Sequence, residues 1–247
     1  MEGAGGGCGC RGQVDGTGNV VLSSELVAYR AGMDETARIR EARREDLATL
    51  EAIEAEGDAM FADLFGPEPF GPDSAESGEA RAAEPGIVLV AVVGAAADER
   101  VAGFAHVLEI DGAAARGDRA EAHLEQLAVL PAFGRRGIGR ALVEASCTWA
   151  AGRGHMRITL RTYAEVPWNA PFYARCGFRV VDPTVGGGDF DTAFQRGLVE
   201  TERRAGLGRH GRRVLMVRDV GPGVGHDVGP AASSATRACS CAPGPCR

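Results

Sequence analysis

Between Leu127 and Ala141 an apolar run meets a proline and passes at once into three glycines and a helix start, an order of residues that few folds accommodate. Leu127, Ala128, Val129 and Leu130 read as a buried strand, Pro131 stops it, and Gly134, Gly137 and Gly139 permit a sharp turn. Ile138, Leu142, Ala145 and Trp149 then recur at helical spacing, Gly152 and Gly154 mark the helix end, and Ile158 and Leu160 lie in the next strand. The prediction is a strand, turn, helix, strand unit. The first amides of such a helix have no intrahelical acceptor, and the macrodipole adds partial positive charge there, so Arg135 to Ala141 is a receptor for phosphate oxygens. Arg135, Arg136 and Arg140 contribute full charges. Glycine at 137 and 139 removes side chains that would hold a pyrophosphate away from the backbone.

Two familiar phosphate turns do not fit these residues. A nucleoside triphosphate loop ends in Gly-Lys-Ser or Gly-Lys-Thr, and this chain contains no lysine. A dinucleotide fold requires Gly-x-Gly-x-x-Gly and an acidic residue closing the next strand. Here Gly137, Ile138, Gly139 continues into Arg140, Ala141, Leu142, and the next strand ends in Arg161 and Thr162.

The turn instead resembles that of the GNAT superfamily of acyl-coenzyme A dependent N-acetyltransferases, whose signature is Arg or Gln, two residues, Gly, one residue, Gly or Ala after a strand. Gly137, Ile138 and Gly139 match it. The position three before Gly137 is Gly134, where the family usually has Gln or Arg, which leaves Arg135 and Arg136 as the nearby polar groups. A second family feature, an Asn followed by a short helix with Tyr and a closing Gly-Phe, is reproduced by Asn169, Phe172, Tyr173, Gly177 and Phe178. The resemblance spans about residues 37–220. It implies one α/β (α+β) domain, a strongly bent mixed sheet of about six or seven strands flanked by about four helices.

The resemblance also implies a site. Acetyl-CoA is the expected co-substrate, with Leu127, Ala128 and Val129 along its pantetheine arm, Arg135, Arg136, Gly137, Ile138, Gly139, Arg140 and Ala141 at its pyrophosphate, and Asn169 and Phe172 beside it. The amide of Val129 or its neighbour is expected to meet the thioester oxygen. Tyr173 occupies the position of the acid that protonates the departing thiolate, and its bland alternative is a packed helix aromatic. Asn169 is also placed to cap its helix, with Pro171 in the first turn. For the base, His123 and Glu125 are both candidates on one strand face, and an acceptor arriving neutral needs neither. The expected acceptor is a primary amine of a small molecule or peptide. Alternatives are a non-catalytic acyl-CoA sensor and an enzyme for longer acyl groups.

At 247 residues and 45% hydrophobic content the chain can bury one sizeable core, and a net charge of -7 argues against nucleic-acid or membrane-surface binding. No apolar run has the length of a membrane span and no secretory signal pattern opens the chain, so a cytoplasmic protein is expected, with a homodimer allowed. Cys8, Cys10, Cys239, Cys241 and Cys246 lie in tails rich in Gly, Ala, Pro and Ser, at spacings unlike a zinc site, so no metal is expected. Cys147 and Cys176 read as reduced, partly buried thiols. Residues 1–36 and 221–247 are expected to be flexible tails, with Met33 opening the domain.

Elsewhere, Arg38 to Ala42 is predicted as a strand, Glu45 to Glu56 as a helix, and Phe61 to Arg81, with Pro67, Pro69 and Pro72, as an irregular connection. Ile87 to Val93 and Val101 to Ile110 are expected to form a hairpin turning at Asp98 and Glu99. Phe178 to Val181 follows as a strand. A long excursion from Asp182 to Gly211, holding a helix around Ala193 to Ala205, separates it from a last strand at Arg213 to Arg218 and is expected to border the acceptor pocket.

Overall fold

Apolar runs without alternation, such as Ile87 to Val93, call for a sheet covered on both faces. The computed structural model describes residues 37–66, 75–95, 98–110, 121–182 and 190–221, together with three short strand segments nearer the N-terminus. In strand β5 (Gly86–Val93), Leu89, Ala91 and Val93 face one core with Leu142 and Trp149. Val88, Val90 and Val92 face another with Leu50, Ile53 and Phe104. Period-two alternation thus feeds two apolar layers from one strand.

The helices supply those layers. Helix α1 (Arg44–Phe65) and the short α2 (Gly78–Ala83) cover one face, and α3 (Ile138–Gly152) covers the other. The short ribbon β1 (Gln13–Val14) and β2 (Val20–Val21) pairs with itself. The main sheet comprises β3 (Val27–Tyr29), β4 (Ala37–Glu41), β5, β6 (Arg100–Ile110), β7 (Glu121–Val129), β8 (Arg157–Tyr163), β9 (Arg179–Val181) and β10 (Arg213–Asp219). Their spatial order is β3-β4-β5-β6-β7-β8-β10-β9. Every neighbouring pair is antiparallel except β7 and β8. The mixed sheet flanked by helices in one domain is the expected class, and β3 adds an edge strand to the seven from β4 to β10.

Two expectations need correction. The first helix runs on to Phe65, nine residues past Glu56, because its C-terminal half docks through Phe61 and Phe65 on Tyr163, with ring centroids 6.1 and 5.1 Å apart. Gly57 within the helix is a poor helix former, and tertiary packing outweighs its propensity. The stretch from Phe61 to Arg81 is therefore not irregular throughout. It ends one helix and contains α2, whose N-cap Ser77 accepts the Ala80 N–H at 3.2 Å. Pro67, Pro69, Pro72, Met33 and the five tail cysteines lie outside the described residues. Cys147 and Cys176 are free thiols, and burial pushes Cys147 up to about 12.

Candidate active site

β7 and β8 bond to each other at Ala122–Ile158 and His123–Thr159, yet β7 continues to Val129 and β8 to Tyr163. Past His123 the two strands part. The divergence begins at a bulge: His106 of β6 pairs with Gln126 and Val107 with Leu124, leaving Glu125 as the extra residue. Beyond it the Leu130 N–H donates to the Ala102 carbonyl at 2.9 Å. By the alternation of an antiparallel ladder, Ala128 faces β6 while the N–H and C=O groups of Leu127 and Val129 face the gap. Leu127 N–H is held by Gln126 Oε1 at 2.9 Å, and the Gln126 amide donates to Glu54 at 2.5 Å.

At the end of β7 the chain makes a single 3-10 turn, Pro131–Phe133, and enters α3 through two left-handed residues, Arg135 at φ 61° and Gly137 at φ 83°. Helical bonding begins with Ala141 N–H to Gly137 O at 2.9 Å, so the amides of Ile138, Gly139 and Arg140 have no acceptor within the helix. Among the described residues no side chain caps this helix start. Arg135, Arg136 and Arg140 are exposed around it, with Arg136 lying over the Phe133 ring at 5.5 Å. A side chain at Gly139 would meet Phe172 and Val129, which ties the turn to the wall of the gap. The strand, turn and helix start expected between Leu127 and Ala141 are present.

Across the gap stands α4 (Ala170–Arg175). It is closed by a Schellman motif: Gly177, at φ 84°, donates to Ala174 O, Phe178 N–H donates to Tyr173 O, and the Tyr173 and Phe178 rings touch at 5.9 Å. The Gly-Phe pair therefore fixes Tyr173. Its hydroxyl is held well above the usual tyrosine range, by burial first and by neighbouring Cys176 second, so it keeps its proton at neutral pH. Asn169 occupies the N-cap position, but its side chain does not cap the helix, which corrects the expectation. At φ -108° and ψ -115° it lies outside the extended region that aims a capping side chain inward, and its backbone oxygen accepts from Phe172 and Tyr173 instead.

The two candidate bases are neighbours. His123 Nε2 lies 3.5 Å from Glu125 Oε2, at the vertex where the strands part. His123 is almost fully buried, with Nδ1 2.8 Å from Thr159 Oγ1 and the Phe194 ring edge-on at 5.0 Å. Burial lowers its pKa to about 3, so the ring is neutral at pH 7. Glu125 keeps 38% side-chain exposure, and partial burial raises its carboxyl above the ordinary range, with Arg81 opposing. Behind them Gln195 donates to Glu121 at 2.7 Å and to Thr159 at 3.3 Å. Thr159, Phe194 and Gln195 were not foreseen. The last two sit on α5 (Ala193–Arg204) in the excursion expected to border the pocket, and only their place at the start of an amphipathic helix hinted at them.

Helix α1 roofs the gap. Glu54, Asp58, Phe61 and Phe65 succeed one another along one side of it, from Gln126 on β7 to Tyr163 and Trp168 beyond β8. Glu54 pairs with the buried Arg81 of α2 at 2.5 Å. Burial, and Glu54 one turn away, raise Asp58 to about 6. Among the described residues no helix is long and apolar enough to cross a membrane.

A two-faced mixed sheet with a parted parallel pair, and a glycine turn leading into a helix whose first amides are unpaired at the opening, defines the fold as α/β. The sequence model of the acetyltransferase (GNAT) family matches residues 53–178, about half of the chain, and the protein belongs to that family. Among solved structures it is similar to a GNAT-family acetyltransferase from Staphylococcus aureus Mu50, at 14% identity and TM-score 0.51 over 74% of this chain and 99% of that one. It is also similar to the ribosomal-protein-S18-alanine N-acetyltransferase of Escherichia coli, at 18% identity and TM-score 0.45 over 75% and 94% of the two chains. The PaiA N-acetyltransferase of Thermoplasma acidophilum, in complex with coenzyme A, gives 18% identity and TM-score 0.46 over 74% and 98%. At 14% identity the likeness to the Staphylococcus aureus protein is one of fold.

Proposed function

We propose that the protein is an acetyl-CoA dependent N-acetyltransferase that passes acetyl directly to a primary amine of a small molecule or peptide. The observation that carries this reading is the gap between β7 and β8, edged by the backbone of Leu127 and Val129, which has no rung to β8, and ending at the amides of Ile138 to Arg140. An extended arm with amide groups fits such an edge as an added strand, and a pyrophosphate fits the helix start beside Arg135, Arg136 and Arg140.

Each residue then has a role. Val129 N–H polarises the thioester carbonyl, because Leu127 N–H already has Gln126 as partner. Glu125 takes the proton from the attacking amine, since a carboxyl raised above its usual range is a stronger base than a free glutamate. His123, a weak base in its buried setting, positions Glu125 through Nε2. As the new C–N bond forms and the C–S bond breaks, Tyr173 gives its proton to the departing thiolate sulfur. Asn169 and Phe172 line the arm.

The test is calorimetric titration of the full chain with acetyl-CoA, using Gly137→Glu as control. Tight binding to the wild type, lost in the variant, is the expected result, because the new carboxylate stands against the pyrophosphate. A folded wild-type protein that does not bind acetyl-CoA refutes the reading.

A further inference from the structure

Arg81 is 4% exposed and its guanidinium is committed to Glu54, making a buried pair of no net charge. Four more carboxylates surround that pair. Glu76 lies 3.8 Å from Arg81, and Asp58, Glu84 and Glu125 each feel its charge. Glu76 and Glu84 retain 44% and 45% side-chain exposure, so the group opens to solvent beside the bulge of β7. Into it points His106 of β6, wholly buried, its Nε2 3.7 Å from Glu84 and neither ring nitrogen hydrogen-bonded among the described residues. Glu76, Glu84 and His106 bring one ligand atom each within 4.8 Å of one another.

We propose that this cluster binds a second cationic group on the acceptor, so that the substrate is a diamine, or an amine carrying another positive charge, with one amine presented to Glu125. The inference rests on the N-acetyltransferase reading of the gap. It rests also on chemistry that the catalytic roles leave unused. An ammonium group has three N–H donors, and Glu76, Glu84 and the lone pair of His106 are three acceptors converging on one spot. Burial holds His106 at about 4, with the charge of Arg81 adding to the shift and a weaker contact with the Arg81 backbone opposing it, so the ring is neutral and can accept. Burial and mutual repulsion raise the carboxyls of Asp58 and Glu84, the mark of a cluster short of positive charge. A single positive charge suits the site better than a metal dication, because the fixed guanidinium of Arg81 stands 3.8 Å from Glu76.

The experiment titrates the full chain, saturated with coenzyme A, with 1,6-diaminohexane and with hexylamine, and repeats both on the doubly substituted protein, Glu76→Gln with Glu84→Gln. These two side chains are exposed, so the substituted protein folds. The diamine is expected to bind at least about tenfold more tightly than the monoamine, the worth of one hydrogen bond between charged groups, and the double substitution removes the difference while coenzyme A affinity holds. Coenzyme A binding with no preference for the diamine overturns the proposal and leaves the transferase reading standing. No coenzyme A binding by folded protein overturns both. Calorimetric binding of Mn²⁺ or Zn²⁺ alone, abolished by His106→Ala, with no preference for the diamine, makes the cluster a metal site and overturns the proposal as well.

Discussion

Acidification from pH 7 to pH 5 should destabilise this protein in a way that two buried histidines dictate. Burial holds His106 at about 4 and His123 at about 3 in the folded chain. In the unfolded chain each titrates near 6.5. Below that value the unfolded state takes up protons that the folded state refuses, so stability is full above it and falls as the pH drops toward 4. Each histidine loses about 1.4 kcal/mol per pH unit below its unfolded value, or about 2 kcal/mol at pH 5. Asp58 works against this. Its folded carboxyl is raised to about 6, so it takes up a proton more readily than the unfolded one and restores about 1 kcal/mol over the same interval. These three groups together contribute a net loss of about 2 to 3 kcal/mol. Urea denaturation followed by fluorescence of Trp149 and Trp168 reads it directly, and His123→Gln should show roughly half of the histidine effect. A midpoint unchanged or higher at pH 5, or an equal loss in His123→Gln, would show that these rings are not held neutral by burial.

Other outcomes follow from single contacts. Tyr173→Phe should keep acetyl-CoA affinity while slowing thiol release by about a hundredfold or more, the range for a lost general acid; unchanged turnover would make Tyr173 a packing residue. Arg81→Met strands the buried carboxylate of Glu54 and should cost about 3 to 5 kcal/mol in urea unfolding, whereas a loss below 1 kcal/mol would mean that the pair is solvated. Gly177→Ala, forced to φ 84°, should cost about 1 to 2 kcal/mol and slow transfer more than it weakens cofactor binding, because the motif it disrupts holds Tyr173; wild-type stability and rate would count against that role.

Local signals carried most of the fold. Leu127 to Val129, Pro131 and the glycines announced the strand, the turn and α3, since each relies on backbone rules that operate within a few residues. The C-terminal half of α1 was hidden because its reason lies far along the chain, in Tyr163 and Trp168. The same holds within the site. Tyr173 and the Gly177-Phe178 pair stood out as a motif, and Glu125 was legible as a polar residue on the strand that carries Leu127 and Val129. Gln126 gave no sign of holding both Leu127 N–H and Glu54, because a bulge shifts its neighbours by one residue and no period-two pattern encodes a bulge. Gln195 reaches Thr159 from 36 positions away, a distance at which spacing carries no information.

The two rungs between β7 and β8 make a seam. To one side lie β3 to β7, to the other β8 to β10, and each arm is stitched internally by antiparallel ladders. Below the vertex at His123, then, the sheet is two plates hinged at a corner, with α3, packed against strands of both arms, as the strap across the hinge. The corner is tied by side chains, Thr159 to His123 and Gln195 to Thr159, whereas at the open mouth Leu127 and Val129 pair with β6 and have no rung to β8. Whatever fills that mouth acts as a splint, so amide-hydrogen exchange at the outer ends of β7 and β8 is the natural gauge of occupancy.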